Sequence, residues 1–335
     1  MRLSLPLTVV VLVVAASFPR AQEPAAPDFA TWLEGVRREA LARGISPETV
    51  TRALATVTEP EPVVVARDRA QPEAVQSLDT YVRQRITSSV RRTARTMAAR
   101  HATVLTEAER AYGIPRSVIV AIWGLESNFG RFTGVRPTIP ALATLAYDPR
   151  RSALFRNELI QALEILDQGR ISLDELKGSW AGAMGQPQFM PSSYLRHAVD
   201  FDKDGRVDIW TSEADVFGSI ANYLKAAGWV SGERWGREVQ ISRSVMARID
   251  ETVPMRRQGC RATREMTDAV SLGAWSRLGV TLTGGRALPR ADMDASLVRG
   301  QNRHFLVYRN YHALIDYNCA HSYAISAGLL SDAVQ

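Results

Sequence analysis

What restricts this chain most is the run PRSVIVAIWGLESNFG, residues 115–130, which sets one acidic side chain into an apolar helix between a proline start and a glycine stop. With Pro115 at the first helical position, Val118, Ile122 and Leu125 form one stripe, and Ile119, Ile122 and Glu126 form an adjoining one. Glu126 then sits at the margin of the buried face, one turn from the helix end. Two outcomes are open. The carboxylate turns out to water or joins the helix cap, or it is held where water is scarce. Removal from water disfavours the charged form of a carboxyl group. An acid kept neutral in this way can give its proton to a leaving group, as the general acid of glycosidic cleavage must. Spacing alone does not choose between them.

The start of the chain has a separate reading. Arg2 followed by LTVVVLVVAASF (7–18) has the charge-then-apolar layout of a secretory signal peptide and is short for a membrane span. Residues 1–21 are therefore assigned to a signal, with cleavage after Ser17 or Ala21. No cysteine stands there to accept a lipid, so an exported protein without lipid anchor or transmembrane segment is expected, released into the periplasm. The remainder is long enough for one large domain with sub-lobes or two modest ones. Cys260 and Cys319, the two cysteines of the sequence, can pair in an oxidising compartment and close a long loop; two buried thiols are the alternative, and the pair is favoured. A net charge of +6 and a pI of about 9.6 suggest an acidic partner. Arginine never reaches the density of a nucleic-acid arm, so an anionic polymer or membrane surface is the better match.

Most of the text is helical. Phe29, Trp32, Leu33 and Val36 recur at helical spacing toward Ala55, and Ser46-Pro47-Glu48 supplies a cap, a first-turn proline and a first-turn acid. Residues 57–66, VTEPEPVVVA, read as a linker or extended crossing. Helical text returns over 74–112, and 135–179 holds two more helices. The stretch GSWAGAMGQPQFMPSSY (178–194) has too many glycines for a helix interior. After a helix near 213–227 the pattern alternates: REVQISRSV (237–245), VTLTGG (280–285) and FLVYR (305–309) are strand candidates. A final helix spans about 322–333.

The chain closely resembles the lytic murein transglycosylase B family, glycoside hydrolase family 103. The resemblance rests on DRAQPE (68–73), Tyr81, AIWGLESNFGR (121–131), KGSWAGAMGQPQFMPSSY (177–194), DFDKDGRVDIW (200–210), SIANYL (219–224), GWVSG (228–232) and DYNCAHSYA (316–324), in this order over about residues 28–330. It implies a mainly α (α+β) fold: a lysozyme-like helical core over 113–235, an N-terminal helical lobe over 28–112, a small α+β insert over 236–311 and a return to the core over 312–335. It also implies that Glu126 is a single acid/base acting on the β-1,4 bond between N-acetylmuramic acid and N-acetylglucosamine in peptidoglycan glycan strands. Ordinary glycosidases need two carboxyl groups, and Ser127, Asn128, Phe129 and Gly130 bring no second one. A lytic transglycosylase avoids that need, because the muramic C6 hydroxyl closes onto C1 and leaves a 1,6-anhydro end.

The resemblance further assigns Ser179 and Gln188 to the catalytic glutamate or the sugar, and Tyr81, Tyr223, Tyr317, Asn318 and Tyr323 to the saccharide groove. A tyrosine offers sugar an apolar face with a polar tip. Without the resemblance, Ser179 and Gln188 would pass for turn chemistry and the tyrosines for packing. Tyr317 and Tyr323, six apart, suit a turn between elements better than one helix face. Trp123 and Phe129 are read as core residues bordering the acid. Asp200, Asp202, Asp204 and Gly205 match the first half of an EF-hand loop, with the Arg206 carbonyl next. Position 12 is Thr211, where a glutamate would be needed; the resemblance implies a longer loop, over 200–215, that closes on a later aspartate, here Asp215, with Asp208 and Glu213 as rivals. A structural calcium ion is expected and no cofactor for the chemistry. The other functional readings are a hydrolytic muramidase on the same bond, a non-catalytic peptidoglycan-binding protein and, more weakly, a calcium sensor. No separate wall-binding module is expected after the core. A monomer is expected, with cell-wall synthesis enzymes as possible partners.

Overall fold

The computed structural model describes residues 27–69 and 76–334; the signal-peptide assignment lies outside them. The chain is largely helical, with three apolar cores. The first is built around the acid-bearing helix Arg116–Ser127, whose Ile119, Val120, Ala121 and Ile122 are fully buried. Against it pack the helices Ser88–Arg100, Ala102–Tyr112, Glu213–Ala226 and His321–Val334. A helix buried on nearly every side reads as apolar all round, which is why Glu126 stands out in it.

The second core joins Phe29–Ala42 and Pro47–Leu54 to the pair Thr138–Tyr147 and Ser152–Asp167. Ser46 caps its helix as expected, accepting from Thr49 N. Residues 28–112 thus do not share one core: Val36 to Val64 belong with the 138–167 pair, whereas Val82 to Ala108 belong with the acid helix. The expected linker over 57–66 is also different, since Pro62 opens a helix, Pro62–Arg69, that buries Val64. A proline at the first helical position loses no helical hydrogen bond, so it starts the helix that the β-branched run had argued against.

The third core lies under a five-stranded antiparallel sheet in the order β4-β6-β7-β3-β5. Its strands are β3 (Gly236–Gln240), β4 (Val270–Ser271), β5 (Thr281–Leu282), β6 (Asp294–Arg299) and β7 (His304–Val307). Val239 faces Leu282 on one side and His304 on the other. Ile249, Leu272 and Trp275, from the helices Arg243–Thr252 and Leu272–Leu278, fill the space beneath. A disulfide between Cys260 and Cys319 fastens this unit to the segment entering the last helix.

Candidate active site

The acid helix ends earlier than the sequence suggested. Pro115 is its N-cap rather than its first residue, and Asn128, not Gly130, is its left-handed C-cap at φ +50°. Phe129 follows at φ +61°. Asparagine adopts this region readily, whereas for Phe129 it is costly, and burial of the ring is what holds it. The Phe129 ring folds back onto Gly124, where a Cβ would meet ring carbons at 2.6 Å. Ser127 is fully buried and accepts from Gly130 N at 3.0 Å, while its carbonyl accepts from Phe132 N at 2.9 Å. The backbone after Glu126 is curled tightly under the helix end, leaving the glutamate half-buried at the rim.

Aromatic rings form one side of that rim. Tyr317 ends the helix Tyr311–Tyr317 and Tyr323 lies in the next one, so the six-residue spacing crosses a turn and the rings stack 9° from parallel at 6.3 Å. Burial, first, and then the charge of Glu126 push both phenols well above their ordinary pKa. Tyr323 Oη is enclosed and lies against the Glu126 carboxyl. Both phenols therefore stay protonated at neutral pH beside the acid. Tyr81 is 4% exposed and lies close enough to Tyr323 to act on it. Tyr223 packs on Tyr317 at 4.7 Å and donates to the Asp316 carbonyl at 2.9 Å; burial raises its pKa too. Asn318 caps the helix that ends in Tyr317, and its side chain lines a cavity.

A loop forms the other side. Strands β1 (Arg136–Pro137) and β2 (Lys177–Gly178) pair and bring the segment after the acid helix against the glycine-rich stretch. Gly134 sits so close to it, at φ +88°, that a Cβ would lie 2.0 Å from the Gly178 carbonyl carbon. Ser179 Oγ accepts from Ala181 N and Ala183 N, which leaves its own proton to donate. Gln188, at φ +51°, donates from Nε2 to the carbonyls of Gly185 and Thr133, keeping Oε1 as an acceptor. Tyr317 Oη donates to the Pro187 carbonyl at 2.7 Å and so ties the two sides together.

Gln186 is a residue that sequence reasoning missed. It is 5% exposed, accepts from Trp123 Nε1 at 2.7 Å and donates to the Trp210 carbonyl at 3.0 Å. It links the acid helix, the glycine-rich loop and the acidic loop. A glutamine among glycines carries no signal of this; only the partners, 63 and 24 residues away, give it meaning.

The acidic loop brings together three of its expected ligands. Carboxylate oxygens of Asp200, Asp202 and Asp204 lie within 4.8 Å of one another. Lys203 and Gly205, both at positive φ, curve the backbone around them, and Arg206 N donates to Asp204. An all-oxygen, carboxylate-rich set fits a hard cation. Asp215 is placed otherwise than expected. It is 1% exposed, outside that group, and its two oxygens accept from Phe201 N and Asp208 N at 2.7 Å each. Burial raises its pKa first of all, and these hydrogen bonds oppose the rise. It braces both ends of the loop. Asp208 caps Trp210 N and Thr211 N, and Glu213 opens the next helix.

Residues 28–332 match the family described as Transglycosylase SLT domain. The chain belongs to this family of transglycosylases. Among individual proteins, it is 46% identical over 131 residues to the membrane-bound lytic murein transglycosylase B of Escherichia coli strain K12, an alignment covering 39% of this chain and 36% of that one. It spans little more than a third of that relative. Solved structures match over more of their length. SltB3 of Pseudomonas aeruginosa, in complex with NAG-anhNAM-pentapeptide, is 37% identical with a TM-score of 0.80, over 91% of this chain and 79% of that one. The E. coli lytic transglycosylase Slt35 in complex with calcium is 27% identical with a TM-score of 0.73, over 92% and 93%. The helix-rich, lysozyme-like fold is shared with these enzymes. Among the described residues no helix is long and apolar enough to cross a membrane.

Proposed function

We propose that this chain is a peptidoglycan lytic transglycosylase that uses Glu126 as its one acid/base. The observation that carries the reading is the position of Glu126: half-buried at the end of an apolar helix, beside protonated Tyr317 and Tyr323, with Ser179 and Gln188 on the loop opposite. Glu126 gives its proton to the glycosidic oxygen as the C1–O bond breaks. The resulting carboxylate takes the proton of the muramic C6 hydroxyl, whose oxygen bonds to C1. One bond is broken, one is made, no water is consumed, and Glu126 ends protonated. The attacker is part of the same sugar, so its effective concentration exceeds that of a passing water. The neutral phenol of Tyr323 beside the transient carboxylate is a donor that favours its charged form, whereas the Tyr317 proton is given to the Pro187 carbonyl. The Ser179 proton and the Gln188 Oε1 are left to position sugar hydroxyls and the acetamido group, while Tyr81, Tyr223 and Asn318 line the groove.

The structure solved with NAG-anhNAM-pentapeptide supports a substrate that carries peptide stems. We assign calcium to Asp200, Asp202, Asp204 and the Arg206 carbonyl, where it would hold the loop beside Gln186; the relative solved with calcium supports this. Export to the periplasm follows from the signal-like start. The test is mass spectrometry of digested sacculi. Parent enzyme should release anhydro products, one water lighter than those of hydrolysis, and Glu126→Gln should lose at least about 10²-fold in rate. Reducing ends from the parent would replace the reading with a muramidase; a Glu126→Gln variant as fast as the parent would falsify the role of Glu126.

A further inference from the structure

The positive charge of the chain is concentrated in one part of the fold. From Arg83 to Arg116 the sequence carries eight arginines and no lysine, against Glu107 and Glu109, a net charge of +6. The whole chain has the same net charge, so all its other residues together are balanced. The eight arginines are exposed, and among the described residues none has a carboxylate within ion-pair distance. Arginines elsewhere are answered: Arg43, Arg156, Arg261 and Arg303 each hold a carboxylate at 2.6 or 2.7 Å. The helix Ser88–Arg100 contains four of the eight and no acid, and its Arg91 and Arg95, one turn apart, repel each other.

These arginines form a continuous stripe. Arg91 shares a cavity of about 380 Å³ with Arg83 and Arg303, and Arg95 shares one of about 400 Å³ with Arg116. The helix turn between Arg91 and Arg95 joins the two cavities. Of the acids there, Asp79 is engaged by Asn302 N at 2.7 Å in the first cavity, and Glu109 lines the second. Arg116 opens the acid helix, and Glu126 lies about 15 Å further along its axis. A ligand at the Arg95–Arg116 end therefore leaves the groove open. A guanidinium forks onto two oxygens of one phosphate. Guanidinium groups spread over several helices suit many phosphates in a plane better than one ion in a pocket, and basic arrays of this size hold proteins to anionic lipid.

We propose that this arginine face docks the chain on an anionic lipid membrane through headgroup phosphates. The inference goes beyond the function proposed above and stands or falls independently of it. Co-sedimentation of the exported protein with mixed phosphatidylglycerol–phosphatidylcholine vesicles, set against phosphatidylcholine alone, tests it. The parent should pellet with the anionic vesicles only, and raised salt should release it. Arg91→Gln, Arg92→Gln and Arg95→Gln combined should lower the partition coefficient about 10²-fold, with no loss of thermal stability and unchanged cleavage of soluble glycan strands. Removing the same charge elsewhere, by Arg52→Gln, Arg257→Gln and Arg290→Gln at exposed positions, should lower it far less. Equal losses from the two triple variants would assign the attraction to net charge and overturn the docking face. A parent that ignores anionic vesicles would overturn it too. If that parent still bound lipid-free sacculi through the same arginines, the face would belong to wall carboxylates instead.

Discussion

The two sides that meet at Glu126 are held by different forces. On the tyrosine side, Tyr317, Tyr323 and Tyr81 sit on helices that close around Ile119, Ile122, Ile325 and Leu330, and apolar area removed from water fixes them. On the loop side, Ser179, Gln186 and Gln188 are fixed by hydrogen bonds to backbone and by glycines that permit close approach. Such bonds are modest one by one and expensive when half is removed. The difference implies that the first side yields to buried charge and the second to a single lost partner. Glu126 stands between a face set by apolar packing and one set by hydrogen bonds to backbone.

After the Glu126 substitution, the largest effect should come from charging the tyrosine side. His321 lies under it, bonded to buried Tyr311, with Glu265 the acid that acts on it. Burial depresses its pKa from 6.5 to about 4. The unfolded chain takes up this proton near pH 6.5 while the folded one resists, so the stability is full above that pH and is lost as the pH falls toward 4. The loss approaches roughly 3 kcal/mol. Thermal unfolding across pH 7 to 4 should show a steeper decline for the parent than for His321→Gln; parallel curves would mean that this side tolerates the charge.

A smaller effect, about 2 kcal/mol, is expected at the loop side from Gln186→Leu, which strands the Trp123 indole N–H in the core. Trp123→Phe removes the donor instead. Since the double variant leaves no indole N–H to strand, and the Trp210 carbonyl loses its donor in the single Gln186→Leu variant as well, the double variant should be more stable than the sum of the two single losses predicts, as measured by urea unfolding. Strict additivity would show that the bond does not couple the loop to the acid helix.

The two sides also differed in how much the sequence revealed. Helical periodicity exposed the acid helix, the Ser46 cap and the last helix, because burial writes itself as spacing along one element. The strand β6 was not foreseen: its buried run Ala295–Val298 lies between Asp294 and Arg299 and shows no alternation, as fits a strand covered on both faces. Gln186 and Gly134 were illegible for a different reason. Their partners are brought near only by the completed fold, and no local pattern encodes a bond across 63 residues. Asp215 shows the intermediate case, where the residue type was noticed but its oxygens are engaged by backbone N–H groups rather than gathered with the other acids.

The smallest expected effect separates the loop's own stability from that of an ion. Asp200, Asp202 and Asp204 accept from backbone N–H groups of the same turn, including Gly205 N to Asp200 at 2.9 Å and Arg206 N to Asp204 at 2.8 Å. The loop therefore has internal support before any cation is added, and Asp215 clamps its ends from beneath. A cation still relieves three carboxylates held together. Calcium at ten times its Kd should add about 1.4 kcal/mol, visible as a rise in Tm that a chelator reverses. Asp202→Asn should abolish the rise while Asp215 still holds the fold. Because Gln186 joins the end of this loop to Trp123, the rise should persist in Gln186→Leu but no longer be accompanied by a gain in kcat. A calcium-dependent gain in kcat that survives in Gln186→Leu would show that the loop acts on the acid by another route.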